Sequence, residues 1–186
     1  MKRSLLLLPL LIALAGCKEE AANLPAPVEM NAESVGFYCQ MNLLEHDGPK
    51  GQIHLDGAPA PLFFSQVRDA VAYLHMPEQS HAVKATYVQD MTGATWAAPG
   101  PWIEVSRAYY VIGSNARGGM GAPELVPFST AESASDFAAT HGGTVRAFSE
   151  ITAQDALAPA EAPSTEASAD DDMNTRLKAL TKHYGN

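Results

Sequence analysis

The chain is poor in thiols, with two cysteines in 186 residues. That excludes a disulfide-stapled scaffold and a four-cysteine zinc site. Its six histidines show no paired spacing, which removes a clustered imidazole zinc site as well. Basic residues are scarce: 12 Lys and Arg stand against 21 Asp and Glu, for a formal net charge of −9. Such a surface argues against nucleic acid and against a polybasic membrane patch. No Gly-x-Ser-x-Gly elbow, phosphate-binding loop or His-Glu-x-x-His helix occurs, so common hydrolase, nucleotide and metalloprotease signatures are missing. Glu45 and Asp90 are available carboxylates, but nothing pairs them as acid and base. No catalytic residue is assigned, and the chain reads as a non-enzyme. Beyond the N-terminus, no apolar run has the length of a membrane span.

The N-terminus itself is a targeting segment. Lys2 and Arg3 precede an apolar run from Leu5 to Leu14, and Leu14-Ala15-Gly16-Cys17 closes it. The run is too short to span a bilayer and ends in small residues. Those four residues read as a lipoprotein cleavage site, with residues 1–16 removed and Cys17 carrying the lipid. Acyl chains on Cys17 would anchor the protein to a membrane surface without a span. Lys18 after that cysteine hints at outer-membrane sorting where an aspartate rule operates; inner or outer membrane stays open. Residues 17–35 are polar, Ala-rich and broken by Pro25 and Pro27, as expected of a flexible tether reaching roughly 25 Å.

Two β-β-α-β units are expected next, over residues 36–95 and 96–152, giving an α+β fold. In the first, strands are expected at 37–44, 52–56 and 82–90. A helix is expected between the last two, because Phe63, Val67, Ala70, Val71 and Leu74 recur at helical spacing. In the second, residues 102–113, 125–128 and 144–148 read as strands. Ser129-Thr130-Ala131-Glu132 resembles a capping box for a helix that Gly142-Gly143 would stop. Units this small rarely carry enough core alone, so they should pack together. Residues 153–186 are rich in Ala, Pro, Ser, Glu and Asp, including Asp170-Asp171-Asp172, and read as a disordered acidic tail.

Once Cys17 is lipidated, Cys39 is the one thiol left. Exported proteins usually pair their cysteines, so a lone thiol with Met41 two residues away suggests a soft metal ion. On a strand, Cys39 and Met41 would face the same side. Met120 lies in Arg117-Gly118-Gly119-Met120-Gly121, where little packs around it and a flexible backbone would let its sulfur reach inward. His46 is a further nitrogen candidate at the end of the first expected strand. The plain alternatives are a buried hydrophobe for Cys39, core packing for the methionines and a surface position for His46. His54, His75, His81, His141 and His183 read as structural or solvated.

Several motifs in order carry a family resemblance. They are Cys39-Gln40-Met41-Asn42-Leu43, Glu45-His46 and Gly48-Pro49-Lys50-Gly51-Gln52-Ile53. Tyr87-Val88-Gln89-Asp90, Tyr110-Val111-Ile112-Gly113-Ser114, Gly119-Met120-Gly121, Pro127-Phe128-Ser129 and His141-Gly142-Gly143 follow. Over residues 36–150 the chain resembles the NosL family of nitrous oxide reductase accessory lipoproteins. Gly119 departs from the proline often found there but leaves the methionine in place. The resemblance implies two ββαβ units in a monomer tethered on the periplasmic side of a bacterial membrane. It implies one bound Cu(I), delivered for the copper sites of nitrous oxide reductase through a membrane ABC-type assembly complex. Carried over by position, Cys39 and Met120 would be the principal copper ligands, Met41 a third and His46 a weaker candidate. A site of two or three ligands can hand on its ion by ligand exchange, and affinity should rise with pH as the thiolate forms. The rival readings are a lipid-tethered adaptor without a metal role and a thiol enzyme using Cys39 as nucleophile.

Overall fold

The computed structural model describes residues 24–77 and 82–157. Strands β1 (Gly51–Leu55), β2 (Leu62–Phe64), β3 (Val83–Gln89) and β4 (Trp102–Glu104) form one antiparallel sheet in the order β2-β1-β3-β4. Strands β5 (Tyr109–Ile112), β6 (Val126–Phe128) and β7 (Thr144–Ala147) form a second, in the order β6-β5-β7. Helix α1 (Val67–Leu74) joins β2 to β3, α2 (Ala131–His141) joins β6 to β7, and α3 (Ala153–Leu157) follows. The expected α+β fold is therefore observed. In both sheets a β-β-α-β run places its first strand in the centre.

The two runs share one core. Val67 and Val71 of α1 and Val88 of β3 pack with Tyr110 of β5, Leu125, Ile151 and Ala156 of α3, all nearly inaccessible to solvent. A smaller cluster of Ile53, Phe64 and Ala70 lies between the first sheet and α1. Another, of Met91, Val111, Val126, Phe128 and Ala134, lies under α2. The Tyr110 hydroxyl donates to the Val105 carbonyl at 2.8 Å, so this buried ring leaves no polar group unpaired.

Four expectations need correction. Residues 37–44 are not a strand. Gln40 takes a left-handed φ of 55°, and the Asn42 side chain accepts from the Leu44 N–H to start a 3-10 turn over Leu43–Glu45. The helix expected from Phe63 begins only at Val67, because Leu62–Phe64 pair with β1, Gln52 opposite Phe63. Aromatic residues favour that pleated surface, and the helical spacing of Phe63 is coincidental. The single strand expected over 102–113 is two strands split by a 3-10 turn, Val105–Arg107, capped by the Glu104 carboxylate. At α2 the cap is Thr130, whose Oγ1 accepts from the Ser133 N–H, so Glu132 closes no capping box. Gly142, at φ 74°, ends the helix as expected.

The expected tether and tail are also shorter at their inner ends. The Gln52 carboxamide accepts from Val28 N–H at 2.9 Å and donates to Val28 C=O at 3.0 Å. The Tyr87 hydroxyl donates to the Pro25 carbonyl at 2.7 Å. Gln52 and Tyr87 are cross-strand neighbours, so the segment from Pro25 to Val28 lies strapped across the face of the sheet opposite α1. At the other end, Ala153–Leu157, assigned to the tail, are helical, and Ala156 is buried. The lipid site Cys17, residues 1–23, His81 and residues 158–186 lie outside the described residues.

Gln52 is wholly buried, and its Oε1 also meets His54 Nε2 at 2.9 Å. Gln52→Ala would leave buried His54 Nε2 without this partner and release Val28 from the sheet. It is expected to cost about 1–3 kcal/mol in urea unfolding and to speed amide exchange at Val28; unchanged exchange there would contradict the strapping.

Candidate metal centre

Cys39 sits on a tight loop rather than a strand. Gly36 N–H donates to Met41 C=O at 3.0 Å and Gln40 N–H to Gly36 C=O at 2.8 Å, while Phe37 N–H ties the loop to β2 through Phe63 C=O. A Cβ on Gly36 would lie 2.5 Å from Cys39 Sγ and 3.7 Å from Ser65 N. The absent side chain at 36 is thus what lets the sulfur fold back over its own loop. Cys39 is half-buried and its thiol is free. Beside it the rings of Phe37, Tyr38, Phe64 and Tyr73 pack at centroid separations of 5.2–5.8 Å. These rings give the loop a rigid apolar base.

Met120 comes from the other half of the molecule. Its loop is closed by Gly118 N–H to Ala122 C=O at 2.9 Å and Gly121 N–H to Gly118 C=O at 2.8 Å. The glycines here are not slack. A Cβ on Gly118 would meet Glu124 Oε2 and Gln66 Oε1, the latter at 2.6 Å. A Cβ on Gly119 would meet His46 Cβ at 2.8 Å, Ser65 O at 3.1 Å and Asp47 O at 3.3 Å. Glycine is needed for close approach of backbone to backbone, which corrects the expectation of a flexible arm.

Ser65 is the meeting point. Gly36, which opens the Cys39 loop, approaches its N–H side, and Gly119, next to Met120, approaches its carbonyl side. His46 packs on Gly119, and its Nε2 is buried without a hydrogen-bond partner. The loops that bear Cys39 and Met120 therefore both meet Ser65, and the Met120 loop also meets His46. Met41 and Met120 are 38% and 43% exposed, so both residues are open to solvent. The argument that Met41 shares a strand face with Cys39 fails, since residues 37–41 form a turn. Among the described residues no three His, Cys, Asp or Glu cluster as a metal site. The chemistry on offer is thiol, thioether and one unpaired imidazole nitrogen, a set that suits a soft ion.

Beneath this surface lies a charged layer that carried no sequence signal. The Lys50 ammonium donates to the carbonyls of His46, Asp47 and Gly48, locking the loop that presents His46. Burial pulls the Lys50 pKa down to about 8, opposed by Glu124 and Asp47. Glu124 is buried, and its Oε1 accepts from Arg68 N–H and Leu125 N–H, each at 2.9 Å. It thereby satisfies a first-turn donor of α1. Its Oε2 has no partner, and desolvation pushes the carboxyl up to about 8. Gln66 accepts from Met120 N–H at 3.2 Å and donates to Asp69 Oδ2 at 2.9 Å. Of the two carboxylates singled out by sequence, Asp90 is structural, accepting from Thr92 and Ser129 N–H, and Glu45 is exposed.

A family model described as NosL matches residues 27–156. The chain belongs to the NosL family. The copper-binding lipoprotein NosL of Achromobacter cycloclastes is 50% identical over 187 residues, covering 98% of this chain and 97% of that protein. The copper-binding lipoprotein NosL of Stutzerimonas stutzeri is 33% identical over 153 residues, covering 80% and 78%. The crystal structure of the copper chaperone NosL from Shewanella denitrificans superimposes with a TM-score of 0.64 at 32% identity, covering 68% of this chain and 96% of that one. The resemblance drawn from the motifs is thus borne out, and this NosL-family chain shares its architecture with a solved relative.

The buried Glu124 gives a pH prediction. The folded chain holds this proton up to about 8, whereas an ordinary glutamate releases it near 4.5. Its contribution to stability is present at low pH and falls as pH rises through that window. Lys50, whose folded value is also about 8, stays charged through the lower part of that window and titrates only at its upper end. Glu124→Gln, compared with the parent chain by urea unfolding, should flatten the decline; an identical pH profile would contradict the assignment.

Proposed function

We propose that this NosL-family chain is a lipid-anchored Cu(I) chaperone on the periplasmic side of a bacterial membrane. It carries one Cu(I) as cargo on Cys39 and Met120, with His46 as a nitrogen donor and Met41 as an alternative thioether. The observation that carries this reading is the convergence of the Cys39 loop and the Met120 loop on Ser65, with His46, its Nε2 buried and unpaired, packed on Gly119 beside Met120. Soft thiolate and thioether donors select Cu(I), and exposed thioethers leave room for an incoming ligand. The names of the two curated relatives speak of copper and of a lipoprotein, and that of the solved structure of a copper chaperone. Among the described residues no helix is long and apolar enough to cross a membrane, and attachment rests on Cys17.

Delivery for the copper sites of nitrous oxide reductase, through a membrane ABC-type assembly complex, is the recipient that the family resemblance supports. Transfer would proceed by exchange of ligands, with the recipient's donor binding before Met120 or Met41 leaves. The chain's part is to hold, shield and present the ion, with no bond of a substrate made or broken.

In an anaerobic chelator competition, Cys39→Ala should lose tight Cu(I) binding. Met120→Leu should weaken it on the order of a hundredfold, and His46→Ala by less. Wild-type affinity in the Cys39 variant would overturn the assignment and favour an adaptor without a metal role.

A further inference from the structure

We propose that Gln66 and Glu124 are positioning residues for the cargo site: they form a buried polar seat that sets where the Gly118–Met120 loop holds the Met120 sulfur. The inference rests on the reading of Met120 as a copper ligand.

The Met120 side chain is 43% exposed, so little packing fixes it. Its position is inherited from its backbone, and that backbone is held from below. Gln66, 3% exposed, accepts from the Met120 N–H at 3.2 Å. Its other end donates to Asp69 Oδ2 at 2.9 Å, which turns Oε1 towards the loop. Glu124 commits Oε1 to Arg68 and Leu125 N–H, which leaves Oε2 facing Gly118. The guanidinium of Arg68 donates to Pro123 and Ala156 carbonyls at 3.0 and 2.8 Å, steadying the chain on which Glu124 sits. Gly118 rests on both seat residues at once, since a Cβ there would collide with each. The seat residues come from opposite halves, one at the start of α1 and one just before β6. Gln66 caps no backbone N–H of α1, so its Oε1 is left for the loop.

The test uses the full chain and four variants: Gln66→Leu, Gly118→Ala, Met120→Leu and the double variant Gln66→Leu/Met120→Leu. Gly118 does not occupy the left-handed region, so alanine there is allowed by the backbone and acts only by lifting the loop off its seat. In metal-free protein, Gln66→Leu should speed amide exchange at Met120 by roughly tenfold, the size of one lost hydrogen bond. In chelator competition it should weaken Cu(I) binding by about 10–100-fold, as loss of a group orienting a metal ligand does. The double variant should bind no more weakly than Met120→Leu alone, because both changes act through the same sulfur. A general loss of stability would not produce that non-additivity. Should Gln66→Leu fail to fold, Gly118→Ala must show the same two effects. Losses that multiply in the double variant, or seat variants with unaltered exchange and affinity, would overturn the proposal. If the parent chain takes up no Cu(I), the copper reading fails, and Met120 exchange alone decides whether the seat holds the loop.

Discussion

The carboxyl of Glu124 is the contact on which both the fold and the site depend. It enters from the second half of the chain and meets the first turn of α1, where helix N–H groups have no partner of their own. Around it lies the shared core of Val67, Val71, Tyr110 and Leu125. Above it lies the loop that bears Met120. A carboxyl in such surroundings is costly to charge, and its raised pKa is the expected response. Kept neutral, it still accepts from the helix and remains small enough to lie under a glycine. The junction of the halves and the support of the candidate site are thus one piece of structure.

The candidate site consequently combines a firm base with an open top. Lys50 braces the His46 loop through three carbonyls. The aromatic group of Phe37, Tyr38, Phe64 and Tyr73 supports the Cys39 loop. Gln66 supports the Met120 loop. Met41 and Met120 stay exposed on this scaffold. For a carrier this division is useful: preorganised donors favour capture, and exposed thioethers allow another donor to enter. The acidic surface, net −9, adds a long-range attraction for cations and for basic partners.

Part of the regular structure was legible in the sequence, β2 and the break between β4 and β5 were not, and neither were the irregular parts that build the site. Residues 52–56 and 82–90 alternate or carry β-branched side chains, and they form β1 and β3. Thr130 and Gly142 bracket α2 as start and stop signals should. Around Cys39 the apolar residues imitate a strand, but Gln40 and Asn42 turn the chain back through local hydrogen bonds. Pro25 to Val28 read as tether because nothing local reveals that Gln52, far along the chain, pairs with Val28. Cys39 and Met120 could be singled out because soft donors are rare and chemically distinct. Gln66 and Glu124 could not, because a buried polar group is recognised by its partners, and those lie across the fold. Glu124 leading directly into the apolar strand β6 was the one faint local cue.

The central claim is that one soft site draws its donors from both halves of the chain. X-ray absorption at the copper edge, on the full chain carrying one equivalent of Cu(I), tests it most directly. The account predicts a low-coordinate, sulfur-dominated shell that loses one sulfur in Met120→Leu and its nitrogen contribution in His46→Ala. A shell of nitrogen and oxygen alone, or one unaltered by both substitutions, would contradict it.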